Sequence, residues 1–479
     1  MYKIERNKWI LYRHTSSFEY LLSVAECLKS FSKTNISKDE KAKLNLHLKE
    51  LGLYNERNPN FVLDAINHKI NQLCYYMFGY KAKFEGSHRF MFSPLGNLLL
   101  KFKDDKDKRA KIFLTMLWGI QFAHPHGGTH KEFELYPFRL IFKLLSDKRL
   151  EFKLFAFEVA YLLVFIRDID ENVYENLVQN ILNLRTKSDI ELAKLFTQDR
   201  HTYVNSAYEW DYYVSKFLQS AGVLECKSGK IICKLQHGNT NTFRKITRNF
   251  VLMPECLKDF ANLLERDNSF LQKPLKLDDK ERLKIDIVKE IYSFYPSILL
   301  EILEQSDEAQ QYLKLPKLIE EYANNPQNQT ADLFETVLTQ GFNMFYNVEA
   351  KKLSGAGRTD IECLYLTKKK KFAVEAKSTT NKLLGINTAR LKEHRDEIGG
   401  AYTIIITPRY VPAAKRDIIA SQNVLLLATT FAEYLYNCMS NDIRQIDYKE
   451  FDEIITQNLG KDISGDISNL SLAKFGLTQ

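Results

Sequence analysis

An acid and a lysine two residues apart, inside an otherwise apolar run, set the tightest limit on how this chain can fold: Phe372-Ala373-Val374-Glu375-Ala376-Lys377. On a strand, residues two apart share a face. Glu375 and Lys377 therefore project together, while Ala376 faces a core. A charged pair in such a strand costs several kcal/mol unless it has a partner or a role. Upstream, Ile361, Cys363 and Tyr365 alternate with Glu362, Leu364 and Leu366, and Lys368 to Lys371 form a tight basic turn. The two runs predict a hairpin. That hairpin brings Asp360, behind the Gly-rich approach Ser354-Gly355-Ala356-Gly357-Arg358, beside Glu375.

Two carboxylates and the Ala376 carbonyl are oxygen ligands suited to a hard ion such as Mg²⁺, with Mn²⁺ able to substitute. Such an ion lowers the pKa of bound water and offsets charge on a scissile phosphate. A lysine beside it suits the developing phosphorane charge or orients the attacking water. The expected catalytic core is Asp360, Glu375 and Lys377, with Asp360, Glu375 and Ala376 as metal ligands. Acid–base alternation on an exposed strand is commonly just a salt-bridged surface. The apolar flanks and the Gly-rich turn set this run apart.

The surrounding segments predict a domain around the hairpin. Thr330 caps a helix from Ala331 to about Thr339, with Gly341 as its stop. Leu384–Glu397, Ala413–Ala420 and Thr429–Tyr436 read as helices, and Tyr402–Thr407 and Val424–Leu427 as strands. The order αββαβαβα predicts a C-terminal α/β domain on a mixed sheet. Before it, Asn324-Asn325-Pro326-Gln327-Asn328-Gln329 is a polar breaker, and residues 276–323 read as wholly helical.

The first half is mainly α, with two helix-then-hairpin units of winged-helix type. One is a helix over 61–80 followed by a hairpin over Ala82–Phe92. The other is a helix over 206–221 followed by Val223–Cys226 and Lys230–Lys234 flanking Ser228-Gly229. Tyr208, Trp210, Tyr212 and Tyr213 are assigned to helix core. The expected domains are 1–140 and 141–270 for recognition, 271–328 as a helical linker, and 329–479 for catalysis.

A chain of 479 residues exceeds one ordinary core. Its hydrophobic fraction of 45%, with 31 Phe and 25 Tyr, argues against disorder. The net charge of +8 is unevenly placed. Residues 331–479 hold 19 Lys+Arg and 18 Asp+Glu, leaving 49 and 42 upstream, so any grip on a polyanion lies mainly in the first part. Within Phe243-Arg244-Lys245-Ile246-Thr247-Arg248, the cations Arg244, Lys245 and Arg248 are candidates for phosphate contact. Seven scattered cysteines without a CxxC pair argue against disulfides and a cysteine zinc site. His124, His126 and His130 lack a fourth ligand at usual spacing. No signal peptide or membrane span is evident, and a cytoplasmic protein is expected.

With these residues in view, the C-terminal region resembles the PD-(D/E)xK restriction endonucleases. Thr359-Asp360 stands in place of Pro-Asp, and Glu375-Ala376-Lys377 is the ExK element. Upstream, three further stretches follow a recurring order: Phe92-Ser93-Pro94-Leu95-Gly96-Asn97, Trp118-Gly119-Ile120-Gln121-Phe122, and Leu135-Tyr136-Pro137-Phe138 with Ile141 and Leu144. They are similar to the recognition half of AlwI/PleI-like type IIS restriction and nicking endonucleases, and the likeness runs roughly from Phe61 to Tyr436. It implies a type IIS restriction endonuclease that binds a short asymmetric site in double-stranded DNA and hydrolyses phosphodiesters outside it. It also implies an active-site acid on the first helix of the nuclease domain, by position Glu335. Some nicking relatives lack the ExK lysine, which this chain keeps. Residues 1–330 are read as holding no second D…ExK set. Cutting the second strand then calls for a transient homodimer, or a separate small subunit, through the nuclease domain. A strand-specific nicking enzyme and a DNA-binding protein with an inactive nuclease domain are the alternatives.

Overall fold

Side chains from Trp9 to Leu299 bury into one continuous apolar cluster. The computed structural model describes all residues except 1–6, 12–16, 31–37, 53–61, 86, 128–130, 237–240, 300–307, 354–356, 442, 444 and 479. Helices Phe18–Ser30, Lys106–Gly119, Pro137–Leu145 and Glu255–Asp267 all feed this cluster. The boundary expected at 140/141 falls inside Pro137–Leu145, where Leu140 and Ile141 are both fully buried. The upstream region is thus joined by a shared core and is not cleanly cut there.

The first helix–hairpin unit forms, but its helix ends at Tyr75 and its first strand begins at Gly79, inside the segment expected to be helical. Helix Val62–Tyr75 is followed by antiparallel β1 (Gly79–Phe84) and β2 (Ser87–Phe92). The second does not. Strands β3 (Lys153–Phe155), β4 (Glu225–Lys227), β5 (Ile231–Gln236), β6 (Phe243–Thr247) and β7 (Phe250–Leu252) are sorted so that β4 and β3 flank β7, while β5 pairs only with β6. Ser228-Gly229 is therefore a close crossing and not a hairpin turn. The Gly229 N–H donates to Asn249 Oδ1 at 2.8 Å, and a Cβ on Gly229 would lie 2.1 Å from the Arg248 carbonyl oxygen. The expected helix over 206–221 is interrupted by a π-helical stretch, Glu209–Val214, between Arg200–Tyr208 and Ser215–Ser220. Trp210 is buried as expected, but Tyr212 is 57% exposed.

Residues 276–283 are not helical; the helix there is Lys284–Tyr292. Its Ile287, Ile291 and Tyr292 enter the upstream core, and Tyr292 donates to the Cys74 carbonyl at 2.6 Å. Helix Glu308–Asn324 leads to the polar breaker, whose Asn325 is 5% exposed and accepts from Thr330 N–H at 2.9 Å.

The C-terminal region is a five-stranded mixed sheet built from β8 (Val348–Lys352), β9 (Ile361–Tyr365), β10 (Lys370–Ala376), β11 (Thr403–Thr407) and β12 (Asn423–Leu427). Strands β8, β9 and β10 run antiparallel, and β10, β11 and β12 run parallel. Strand β8 is additional to the expected order. Helix Ala331–Phe342 runs through Gly341, whose missing side chain lets Phe431 and Leu435 approach. Thr330 occupies the N-cap position without a side-chain cap bond; its hydroxyl goes to the Tyr322 carbonyl at 2.9 Å. Phe334, Phe342, Phe372, Ile404 and Phe431 fill one face of the sheet, and Leu391, Ile405, Ala414 and Ile418 the other.

The two halves interlock. Helix Ser464–Phe475 sends Leu472 into the upstream core, and β13 (Leu477–Thr478) adds a third strand beside β2. Lys289 pairs with Glu433 at 3.0 Å, and Arg89 donates to the Leu472 carbonyl at 2.7 Å. A chain ended near Pro274 loses Ile287, Ile291, Tyr292 and Leu472 from its core. Each buried side chain of that size contributes about 1.5–3 kcal/mol. Such a truncation is expected to melt well below the full chain and to bind a hydrophobic dye. Cooperative melting at the full-length temperature would refute this.

Candidate functional site

The hairpin register positions the acids. Val374 opposes Ile361 as the last β9–β10 pair, so Asp360 lies just beyond the ladder, level with Glu375 and Ala376. The Ala376 N–H donates to Asp360 Oδ2 at 2.7 Å. Thr359, itself buried, donates its hydroxyl to the Val374 carbonyl at 3.2 Å and fixes the approach. Glu375 is 1% exposed. Its Oε1 is met by Lys377 Nζ, and its Oε2 has no hydrogen-bond partner among the described residues. The Lys377 N–H donates to the Ile406 carbonyl at 2.8 Å, holding the lysine at the end of the parallel ladder.

Burial, and then the neighbouring Glu375 charge, push the Asp360 carboxyl up to about 7, against the opposing pull of the Ala376 N–H and Lys377. Glu335 lies near enough to add to that field. Its own carboxyl is raised, by burial above all, with Lys352 opposing and Asp332 and Glu375 contributing. Lys352 on β8 reaches Glu335 Oε2 at 3.5 Å, Thr336 Oγ1 at 3.2 Å, and Asp332. No local pattern marks this lysine, because it stands on β8, a strand absent from the expected order.

A divalent ion fits this arrangement. Two like-charged, poorly solvated carboxyls share a pocket, one with an orphaned buried oxygen, and a cation would satisfy both. Among the described residues no three of His, Cys, Asp and Glu gather as a ligand set.

Within residues 1–330 the E-x-K triplet recurs as Glu151-Phe152-Lys153 and Glu225-Cys226-Lys227. Both are ordinary surface pairs: the acid side chains are 68% and 47% exposed, against 2% for Glu375. Burial separates the candidate site from its look-alikes.

The other candidates divide. Arg248 already has partners within the chain, Asp189 at 2.8 Å and the Lys187 carbonyl at 3.0 Å. Arg244 stacks 3.6 Å over Tyr208, and Lys245 is exposed. In the basic turn, Lys368 and Lys370 are not a solvated tip; they bind Asp452 at 2.7 and 2.8 Å. Burial raises the Asp452 carboxyl, but these lysines and Tyr402 hold it below its ordinary range. His124 and His126 join no metal-binding group among the described residues, and His130 lies outside them.

The upstream motifs serve as joints. Ser93 caps helix Pro94–Lys101 through the Gly96 N–H at 2.9 Å, and a Cβ on Gly96 would meet the Phe78 carbonyl oxygen at 2.0 Å. Trp118 donates to the Asn268 carbonyl at 3.0 Å, and Gln121 to the Leu275 carbonyl at 2.7 Å.

Comparison with known proteins adds the family. Residues 4–268 match the family model described as type II restriction endonuclease HgaI, N-terminal domain. The chain is 47% identical over 477 residues to the type II restriction enzyme HgaI of Avibacterium volantium, covering 98% of each protein. Two solved structures of restriction endonuclease FokI also align. The DNA-bound form covers 96% of this chain and 100% of its own, at 11% identity and a TM-score of 0.28. The other covers 95% and 99%, at 10% and 0.29. Superposition that loose carries no argument.

The acid pair makes a measurable forecast. Adding Mg²⁺ is expected to raise the melting temperature of the intact chain. Asp360→Asn removes one of two clashing charges, so it should melt no lower than the parent without metal and lose the Mg²⁺-dependent rise. An unchanged rise in Asp360→Asn would remove Asp360 from the metal site.

Proposed function

Because this chain belongs to the family of type II restriction endonucleases that includes HgaI, we propose that its sequence-specific DNA cleavage is carried out by Asp360, Glu375 and Lys377 as a PD-(D/E)xK site. The activity itself, site-specific hydrolysis of DNA phosphodiesters by a type IIS enzyme, follows from the family. The observation that supports the site is Glu375, buried in a core strand with one oxygen unsatisfied beside a second carboxyl. The AlwI/PleI-like character of the upstream motifs is part of the same proposal.

Asp360 and Glu375, with the Ala376 carbonyl, would hold Mg²⁺, and Mn²⁺ would substitute. When bound, the ion supplies a water of lowered pKa and offsets charge on the scissile phosphate. The chain's own residues do the rest. The Ala376 N–H fixes the rotamer of Asp360, so one carboxylate oxygen is committed to the backbone and the other is left for a ligand. Lys377 brings an ammonium to the same edge, in position to donate to a phosphate oxygen as charge builds there. Glu335, held by Lys352, adds negative charge at the rim and so strengthens the site's preference for a divalent ion.

Double-stranded DNA is the partner. The E-x-K triplets within residues 1–330 are exposed pairs, and Glu349 and Lys351 of Glu349-Ala350-Lys351 on β8 are exposed as well, so none of them offers a second active site. Breaking both strands would therefore use a second copy of this chain, or a separate small subunit, through the nuclease domain. Among the described residues no helix is long and apolar enough to cross a membrane.

Asp360→Ala is expected to abolish cleavage while specific binding persists, and Lys377→Ala to slow cleavage by roughly 10²–10³-fold. Full activity in Asp360→Ala, read by plasmid digestion, would sink the assignment. With the intact enzyme, supercoiled plasmid is expected to pass through a nicked circle, with linear product rising more than proportionally to enzyme. Linearisation strictly first order in enzyme, without a nicked intermediate, would refute recruitment of a second site. Accumulation of nicked circles alone would select a strand-specific nicking enzyme.

A further inference from the structure

The β5–β6 ribbon carries a like-charge pair on its outward face. Lys234 and Lys245 oppose each other directly in the register, both exposed, and neither meets a carboxylate among the described residues. Like charges directly opposed across two strands destabilise a sheet. The nearby acids cannot relieve them, because each is already engaged. Asp189 holds Lys230 at 2.7 Å and Arg248 at 2.8 Å. Asp211 accepts from Thr247 at 3.0 Å and Asn249 at 2.9 Å. Glu209 holds Lys8 at 2.7 Å, and Glu225 holds Lys227 at 2.9 Å. The result is a positive ribbon face with no internal counter-charge.

The other side of the ribbon is anchored. Ile246 is buried, with Cys233 and Leu235 packed beside it, against Phe196, Val204 and Ala207. Only one face is therefore free for a partner. At the same end of the ribbon, Phe243 is 63% exposed. Next to it, the Arg244 guanidinium lies over Tyr208, which stacks on Tyr212 with ring centroids 5.1 Å apart. Tyr212 is carried on the π-helical stretch, a local irregularity that recurs at functional sites.

We propose that the outward face of β5–β6 enters the major groove of the target DNA, where Lys234 and Lys245 read base edges and Phe243 packs at its border. The major groove admits a two-stranded ribbon, and lysine donors suit the guanine O6 and N7 acceptors there. DNA also removes the conflict on the ribbon, since the polyanion supplies the missing counter-charge. The proposal rests on the reading of the chain as a sequence-specific nuclease, and its test separates the two.

The test uses the full-length protein and plasmid DNA. Cut positions of the wild type are mapped first. A duplex carrying one mapped site and a shuffled duplex of equal composition then serve as probes in EDTA. Lys234→Ala and Lys245→Ala are expected to weaken site binding by roughly 5- to 150-fold, to change shuffled-duplex binding far less, and to spread cleavage to related sites. Lys245→Glu replaces repulsion by attraction to Lys234, so it should raise the melting temperature while erasing site preference. That rise also excludes misfolding as the cause of the lost binding. Equal weakening on both duplexes would mean phosphate contact alone and overturn groove reading, as would unchanged binding. Those outcomes leave the nuclease reading intact, whereas a wild type without defined cuts overturns both.

Discussion

Glu375 is almost wholly removed from water, yet it stands in the middle strand of a packed sheet. Burying a carboxylate without full compensation is among the largest penalties a small region can carry. Lys377 satisfies one oxygen and nothing among the described residues satisfies the other. The strand holds its place because its neighbours are over-determined. Phe372 stacks flat against Tyr448 with an interplanar angle of 3° and also packs on Phe342 and Tyr402. Lys368 and Lys370, at the turn of the same hairpin, are tied to Asp452 on helix Lys449–Gln457. Apolar packing and an anchored turn thus hold an acid where water would not.

The segment between the halves takes part in the site, which a loose tether could not. The chain leaving Lys377 is bonded to the end of helix Glu308–Asn324: Thr379 N–H to the Ala323 carbonyl at 2.9 Å and Thr380 Oγ1 to the Asn325 carbonyl at 2.8 Å. Arg409 joins Asn324 at 2.6 Å and Glu290 at 3.1 Å, and Lys382 joins Asp279 at 3.1 Å. Residues that look like a flexible connector in composition are rigidly shared between the catalytic edge and the upstream core.

What was legible in the sequence follows from how local each signal is. The β9–β10 hairpin carries strict alternation and a basic turn within sixteen-odd residues, so it could be read, and Asp360 and Glu375 with it. Strand β8, Val348-Glu349-Ala350-Lys351-Lys352, has only two small apolar residues facing the core, and it exists as a strand because β9 pairs with it. Lys352 was lost along with it. Glu335 came only from family likeness, since nothing in Leu333-Phe334-Glu335 marks it. For the second hairpin, adjacency in sequence suggests pairing of neighbouring strands, while β4 finds β7, beyond two intervening strands. Arg248 looked equivalent to Arg244, but its partner Asp189 lies 59 residues earlier, and no local pattern reveals that. Tyr212 fell to the same limit, since a π-helical turn shifts the helical phase without a sequence signature of its own.

The proposed catalytic site and the proposed DNA-reading ribbon share one physical device. At the catalytic edge two carboxyls are held together in a place of poor solvation, and on the ribbon two lysines are held opposite each other. Each arrangement costs stability in the free protein, and at the acid pair Lys377 and the Ala376 N–H relieve only part of the clash. A divalent cation reverses the sign of the first interaction, and a polyanion reverses the second. By linkage, a ligand that binds the native arrangement and not the unfolded chain stabilises the fold by RT ln(1 + [L]/Kd). The conflict stored at each surface is released only when the matching charge arrives. A sequence that removed both conflicts would gain stability and lose the driving force for ion and DNA binding, which is the trade expected between stability and function at active surfaces.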